Sequence, residues 1–416
     1  MLIQGQSASG ARPKNIRYTN CRSLVDLLSQ SDKLSVHEIS EQLDLSKTAT
    51  INIMNILVST GIIYGCGKGA SSESGGKKPA LYAINPSYKY SIIVSFAEKF
   101  VVAEMLDFCF NKVNYCLQAT DDSSYKAVVD AAASAITYLL EHSSLSPDSL
   151  YAVAVQSGGI VDAMNGILLR PITAPDWGND LPLVEDLKKA LRFEVPVYFD
   201  NVCRFGGYFE LLKNSKNRNR TILSLYINDA GVGGSLIQNG AIAHGKYGLI
   251  GEFGHITTDY TSAEKCKCGR YGCFETVVTG MKVVERTRKA LPGTKGTALT
   301  EETLKKISDI FAAADQGDGF AQSQMDFVVD QFANMLYNMQ IMYDPDTVII
   351  QGAYANSGTY FKDKLALAVE DISLFSIAKS LRLIFDENSF RDAVTLGASF
   401  FCREQYLNNS TVFDGR

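Results

Sequence analysis

The pattern of apolar and polar positions predicts three helices near the start of the chain. The first covers Asn20–Ser29, where apolar residues recur at helical spacing. The second follows Ser35, which has a Glu three positions later, the pair that satisfies free amides at a helix start. The third follows Ser46 and ends at Gly61. Two helices separated by so short a connection are typical of a helix-turn-helix.

The third helix has an apolar face and a polar face. Its inward stripe consists of Ile53, Met54 and Leu57. The opposite face carries side chains that can contact base edges or phosphates, as in a recognition helix. These are Lys47, Thr48, Asn52 and Asn55. The alternative interpretation is a helical packing domain or a linker, since helix-turn-helix patterns also occur in proteins that do not bind DNA.

A segment rich in Gly and Ser follows the third helix and separates two short strand-like pieces. Lys77 and Lys78 come directly after two glycines, which predicts a basic wing that contacts phosphates or a minor groove. Residues 1–90 have a net charge of +4, whereas the remainder of the chain has −9. Only the first segment has the sign that polyanions attract. We therefore predict a winged helix-turn-helix DNA-binding domain over residues 1–87.

After residue 87 the pattern of apolar and polar residues predicts alternating strands and helices, which is typical of an α/β domain. The predicted strands are Tyr90–Phe96, Tyr151–Gln156, Val195–Phe199, Thr221–Ile227 and Thr347–Gln351. The most distinct predicted helices are Ser124–Leu140 and Ala321–Met342. We predict a second domain over residues 88–416.

Composition is that of a soluble protein. The chain has 416 residues, 46% hydrophobic and 20% charged, enough for two or three domains. We find no apolar run of about 18 residues that could span a membrane, and no secretory signal at the N-terminus. Nine cysteines, an odd number, favour reduced thiols over a disulfide framework. These features predict a cytoplasmic protein without membrane insertion.

The strongest candidate for a functional site in the sequence is a loop that contains three cysteines. Cys266, Cys268 and Cys273 lie within eight residues, and His255 precedes them as a fourth ligand. Three thiolates and one imidazole would close a tetrahedral zinc site, and the lack of an open position favours structural zinc. The alternative is a set of buried free cysteines.

These residues resemble a known family. The GEFGH segment followed by CKCGRYGCFE, together with the helix-turn-helix and its GGKKP segment, resembles the ROK proteins, which comprise sugar-responsive repressors and sugar kinases. The resemblance implies an actin-like (ribonuclease H-like) two-lobed sugar-kinase fold over residues 88–416. It also implies that Asn201, Glu252, His255 and Glu275 contact sugar hydroxyls. The alternative is that Glu252 and Glu275 only support the zinc loop.

Two departures from the family pattern argue against phosphotransfer. Where the kinases have a Gly- and Thr-containing phosphate turn, this chain has Ser95-Phe96-Ala97-Glu98-Lys99. Where they have the Asp that serves as general base, alignment places Val202, and valine cannot accept a proton. We therefore assign no catalytic residue.

The expected protein is a repressor that binds a double-stranded DNA operator and responds to a sugar or sugar phosphate. One small winged helix reads few base pairs, so we expect a homodimer or homotetramer. Two alternatives stay open. One is an ATP-dependent sugar kinase with an accessory N-terminal domain, and the other is a regulator controlled by a protein partner.

Overall fold

A computed structural model describes residues 13–69, 78–97, 100–120, 123–172, 174–371 and 381–414. The helices are α1 Pro13–Ser29, α2 Val36–Gln42, α3 Lys47–Ser59, α4 Tyr125–His142, α5 Leu183–Ala190, α6 Val202–Lys213, α7 Phe274–Val278, α8 Gly280–Ala290, α9 Ile307–Asp315, α10 Gly319–Tyr343, α11 Gly358–Asp371 and α12 Phe390–Leu407. The strands are β1 Leu34–Ser35, β2 Ile63–Lys68, β3 Ala80–Ile84, β4 Tyr90–Ala97, β5 Phe100–Leu106, β6 Lys112–Ala119, β7 Leu150–Ser157, β8 Gly159–Asp162, β9 Ile167–Pro171, β10 Val197–Asn201, β11 Ile222–Ile227, β12 Val232–Gln238, β13 Ala241–Ile242, β14 Thr347–Gly352 and β15 Arg382–Phe385.

The chain forms two compact units, each assembled from separate stretches of sequence. The first comprises residues 1–155, 184–198 and 399–416, and the second comprises 156–183 and 199–398. Helix α12 therefore contributes its residues through Ala398 to the second unit and the rest to the first. The predicted domain boundary after residue 87 lies inside the first unit. The division into a DNA-binding domain and a sensor domain therefore stays a prediction.

The predicted helix starts α2 and α3 are confirmed. Ser35 Oγ accepts a hydrogen bond from the Glu38 amide at 3.3 Å, and the Glu38 carboxylate accepts one from the Ser35 amide at 2.7 Å. Ser46 accepts from the Ala49 amide at 3.2 Å. Helix α1 is longer than predicted because it begins at Pro13, a residue that the first turn of a helix tolerates.

A three-stranded antiparallel sheet completes the N-terminal part of the first unit. Strands β2 and β3 pair from Ile63 with Ile84 to Lys68 with Ala80, and β1 pairs with the other edge of β3. The hairpin predicted for the wing therefore exists as two paired strands. Lys78 is exposed beside β3, and Lys77 lies outside the described residues.

Helix α1 packs against the C-terminal end of α12 within the first unit. The Arg22 guanidinium donates to the Glu404 carboxylate, and both side chains are largely buried. Arg17 donates to Asp414 at 2.6 Å, from a position 397 residues earlier in the sequence. Residues from the two ends of the described sequence therefore stabilise the same structure.

A five-stranded sheet in the order β10-β7-β4-β5-β6 lies mainly in the first unit, with α4 packed on β5 and β6. Strand β10 begins at Val197, two residues after the predicted start, because Pro196 has no amide hydrogen to donate to a ladder. The predicted strands had not included β5 and β6.

A second five-stranded sheet, in the order β13-β12-β11-β14-β15, forms the centre of the second unit. Strands β11, β14 and β15 run parallel, and β12 pairs antiparallel with β11. The helices that cover it and the turn after β14 share a fully buried aromatic cluster. Phe332 of α10 lies 4.9 Å from Tyr354 and 5.3 Å from Phe361 between ring centroids.

Among the described residues, no helix combines the length and apolar character needed to cross a lipid bilayer.

Candidate functional site

The structure brings the four predicted metal ligands together at one end of the second unit. His255 closes a short 3-10 turn, and Cys273 directly precedes α7. The loop between them turns at Gly272, whose φ is +68° and where a Cβ would lie 1.8 Å from the Asp259 carbonyl oxygen. Glycine is therefore required there for the loop to close.

The donor atoms have the spacing of a metal-binding cluster. One nitrogen of His255 and the Sγ atoms of Cys266, Cys268 and Cys273 all lie within 4.8 Å of one another. Cys268 and Cys273 are 3.6 Å apart at sulfur, and Cys266 Sγ lies 3.5 Å from His255 Nδ1. Ligands around tetrahedral zinc lie about 3.8 Å apart when zinc–sulfur bonds are about 2.3 Å, whereas a disulfide needs about 2.05 Å. These residues fit a metal ion bound by three thiolates and one imidazole.

Glu252 and Glu275 lie beside different nitrogens of His255. Glu275 Oε1 is 3.4 Å from Nδ1 and 2.9 Å from Cys266 Sγ, on the side of the cluster. Glu252 Oε2 is 3.9 Å from Nε2. Burial raises the pKa of Glu252, and Arg204 and the ring of His255 oppose this rise. Glu275 thus has the contacts of a residue that supports the cysteine loop, while Glu252 lies beside the other nitrogen of the His255 ring.

The side chain of Asn201 forms two hydrogen bonds with backbone groups. Its Oδ1 accepts from the Cys203 amide, and its Nδ2 donates to the Gly159 carbonyl, both at 2.8 Å. This arrangement caps α6 and fixes the turn before β8. The amide keeps one lone pair and one hydrogen for a ligand.

Arg204 connects the start of α6 to the segment that leads to Glu252. Its NH1 group donates to the Gly248 carbonyl at 3.0 Å, and NH2 donates to the Val161 carbonyl at 3.2 Å. Its Nε donates to Asp200, which also contacts His244 Nε2 at 2.7 Å. Only the i, i+4 spacing of Asp200 and Arg204 could have signalled this buried network, which was not among the predictions.

Val202, which the sequence alignment predicts at the place of the kinases' general base, is the first residue of α6 and has no titratable side chain. Asp200, two residues earlier, is 3% exposed and fully engaged by Arg204 and His244. Burial raises its pKa, but the hydrogen bond from His244 and the charge of Arg204 outweigh burial, and the pKa is lowered.

The glycine turn after β11 satisfies its own amides. The Ala230 and Gly231 amides both donate to Asn228 Oδ1 at 2.8 Å. The Gly280 and Met281 amides that open α8 donate to the carbonyls of Asn228 and Asp229. In the segment where the sequence analysis expects the kinases' phosphate turn, β4 continues as strand through Ala97, and Glu98 and Lys99 lie outside the described residues.

The polar face predicted for α3 is exposed. Its buried stripe is confirmed, with Met54 2% and Leu57 0% exposed. The side chains on the opposite face are all exposed, namely Lys47, Thr48, Asn52 and Asn55.

Comparison with known proteins supplies the context for these sites. The profile described as "ROK family" matches residues 111–405. The chain is 26% identical over 270 residues to a glucokinase of Halalkalibacterium halodurans, a match that covers 62% of this chain and 78% of that one. It is 23% identical over 394 residues to a xylose repressor of Bacillus spizizenii, covering 94% of this chain and 97% of the repressor.

The solved structures give the same fold. A crystal structure described as a ROK family transcriptional regulator, a homolog of the Escherichia coli MLC protein, superposes with a TM-score of 0.77 at 19% identity. The superposition covers 96% of this chain and 100% of that structure. The actin-like sugar-kinase fold expected from the sequence is thus the fold of this chain.

Proposed function

Because this chain belongs to the ROK family, we propose that it is a sugar-responsive repressor that binds operator DNA through residues 1–87 and does not phosphorylate its effector. One observation carries the proposal. Helix α3 exposes Lys47, Thr48, Asn52 and Asn55 on the face opposite its buried stripe, and a β-hairpin follows it directly. This is the arrangement of a recognition helix with a wing.

The winged helix-turn-helix would divide its contacts by chemistry. The Asn and Thr side chains of α3 can donate to and accept from base edges, whereas Lys47 suits a phosphate. Lys77 and Lys78 would add phosphate contacts from the wing. Because α3 offers a single cation, affinity depends on the wing and on pairing of two copies.

The effector would bind beside Glu252, His255 and Asn201. Glu252 can accept hydrogen bonds from sugar hydroxyls, and the His255 ring presents Nε2 on the same side. Glu275 would act chiefly through the cysteine loop, as its contact with Cys266 suggests. We assign the ligand to the class of sugars or sugar phosphates, in keeping with the xylose repressor among the relatives.

We propose zinc as the metal of the cysteine cluster. His255, Cys266, Cys268 and Cys273 would hold it, and with four protein ligands no position remains for catalysis. When bound, zinc would contribute folding free energy and fix the orientation of the His255 ring. The orientation of Nε2 toward Glu252 would follow from this.

Three features support the absence of kinase activity. Val202 replaces the general base, and Asp200 is held by Arg204 and His244. The amides of Ala230 and Gly231, in the glycine turn after β11, already donate to Asn228 and are not free to bind a phosphate oxygen. A phosphate would have to displace these internal hydrogen bonds.

The experiment is the capture of genomic DNA fragments by the purified full-length protein, followed by sequencing, with and without a panel of sugars. We expect enrichment of a palindromic site that one sugar class abolishes. The Lys47→Ala, Asn52→Ala double variant should lose this enrichment, and Lys126→Ala, an exposed lysine on α4, should keep it.

Two further measurements separate the alternatives. Formation of a phosphorylated sugar from ATP and magnesium would establish the kinase, in line with the glucokinase among the relatives. Enrichment of a DNA site that no sugar alters, with no heat of sugar binding, would favour control by a protein partner.

A Lys77→Ala, Lys78→Ala variant should reduce the slope of log affinity against log salt by about 2, since each phosphate contact contributes about 0.9.

A further inference from the structure

Helix α3 exposes an isoleucine in the middle of its polar face. Ile51 is 39% exposed, whereas Met54 and Leu57 on the other side of the helix are 2% and 0% exposed. Thr48 precedes Ile51 by three residues and Asn55 follows it by four, so both are its direct neighbours on the helix surface. An aliphatic side chain therefore lies among the groups proposed above to contact DNA.

The position of Ile51 along α3 gives this exposure its meaning, because single apolar side chains are common on protein surfaces. Lys47 is the first residue of α3, and Ile51 follows about one turn later. In a helix-turn-helix, the residues near the start of the second helix contact base edges in the major groove. Ile51 therefore faces the bases when α3 enters that groove.

An aliphatic side chain has one apolar partner in the major groove. Phosphates and the hydrogen-bonding edges of the bases require donors, acceptors or cations, whereas thymine alone of the four bases presents a methyl group there. The β-branched side chain of Ile51 has one strongly preferred rotamer in a helix, so packing it against a methyl group costs little conformational entropy. Asn52, the next residue, can bond to N6 and N7 of adenine. The two side chains together fit A·T base pairs.

We propose that Ile51 reads a thymine methyl group in the major groove of the operator. The inference rests on the proposed DNA-binding function and adds to it the residue that sets a preference for thymine at one position of each half-site. Removing this contact should weaken binding about three- to fivefold, the effect of exposing one buried methyl group.

Val58 provides a matched control on the same helix. It is β-branched like Ile51, it is 44% exposed, and it lies seven residues later, on the same face of α3. Two helical turns place it about 10 Å further along the helix axis, in the last turn of α3. Val58→Ala therefore removes a similar exposed side chain far from the end of the helix that contacts bases.

The experiment begins with selection of binding sites from a random DNA pool by the full-length wild type. Each thymine of the selected site is then replaced in turn by uracil, which lacks the methyl group and keeps the same hydrogen-bonding edge, and affinities are measured at one fixed salt concentration. We expect the wild type to lose about three- to fivefold in affinity at one thymine of each half-site. Ile51→Ala should bind the thymine and uracil duplexes equally at that position. Val58→Ala should show the full wild-type loss, and Ile51→Val should retain part of it.

Three outcomes would overturn the proposal. They are equal binding of all thymine and uracil duplexes by the wild type, an unchanged uracil effect in Ile51→Ala, or loss of the uracil effect in Val58→Ala. Circular dichroism and thermal unfolding should show that the variants fold as the wild type does, because both side chains are exposed. Selection that enriches no site would count against the proposed function and with it this inference. An enriched site without a uracil effect would count against the role of Ile51 alone.

Discussion

Arg204 Nε donates to Asp200 Oδ1 at 2.5 Å, and both side chains are almost completely buried. The Asp200 carboxylate, two residues before Val202, thereby holds the Arg204 cation. That cation in turn fixes the backbone of Gly248, four residues before Glu252. Asp200 and Arg204 therefore support the backbone segment that leads to Glu252.

Replacing Arg204 should destabilise the protein strongly. Arg204→Met leaves a buried carboxylate without its main counter-charge, which typically costs about 3–5 kcal/mol. Urea unfolding should report this loss of free energy, and Arg192→Met, at an exposed arginine, should change it little. A loss below about 1 kcal/mol would mean that the pair contributes little to folding.

The lowered pKa of Asp200 also makes the stability of the protein depend on pH. The contribution of Asp200 to the free energy of unfolding is present above its unfolded pKa and is lost as pH falls through its folded pKa.

Glu210 should give the opposite dependence on pH. Burial, together with Asp386, raises its pKa to about 6, although Lys213 opposes the shift. The folded state therefore binds this proton more tightly than the unfolded state, and the contribution to stability is complete below the unfolded pKa of 4.5 and is lost as pH rises through about 6. Glu210→Gln should be more stable than wild type at pH 8 by about 1–2 kcal/mol, with little difference at pH 4.5.

Thermal unfolding of the Glu210→Gln and wild-type proteins between pH 4.5 and 8 checks this sign. Glu301→Gln removes an exposed carboxylate and provides the control. An advantage of the variant that grows toward acidic pH would contradict the assignment.

The cysteine cluster should bind one metal ion per chain. Metal analysis of the purified wild type should find one zinc, and Cys273→Ser should lose it, because three remaining ligands hold zinc weakly. We expect the variant to unfold at a markedly lower temperature, since metal binding is coupled to folding. Cys109→Ser, outside the cluster, should retain both zinc and stability. Full zinc content in Cys273→Ser would exclude Cys273 as a ligand.

Glu252 should be needed for effector binding and not for DNA binding. Glu252→Gln removes a carboxylate whose acceptors suit sugar hydroxyls, and truncating such contacts typically costs 1.5–3 kcal/mol, or about 10- to 100-fold in affinity. Calorimetry with the sugar identified by the genomic capture measures this, and DNA affinity without sugar should be unchanged. An equal loss in Glu275→Gln would place both carboxylates against the ligand, whereas a loss of zinc there would confirm its role in the cysteine loop.

Local signals in the sequence were sufficient to predict several helices and their starting residues. The caps Ser35 and Ser46 were identifiable because the side chain that satisfies a helix amide is adjacent in sequence. Strand β5 was not, because the short segment Val101–Leu106, apolar except for Glu104, could equally belong to a buried helix. Pairing with β4 decides the matter, and pairing is not a local property.

The same limit applies to the candidate site. Cys266, Cys268 and Cys273 were found because they are close in sequence, and the structure brings His255 to them. The contact between Asp200 and His244 joins residues 44 positions apart, and no spacing rule predicts it. Asn201 was predicted only as a ligand contact, although its place before α6 is also the place of a helix cap.

The contacts of α1 have a consequence for how the protein is made. Arg22 and Arg17 find their partners at Glu404 and Asp414, 382 and 397 residues further along the chain. Contacts of such long sequence separation cannot form until the C-terminal segment has left the ribosome. The N-terminal segment is synthesised first, but its contacts with the C-terminal segment form last. A chain whose translation stops early would therefore lack the contacts that hold α1 in place.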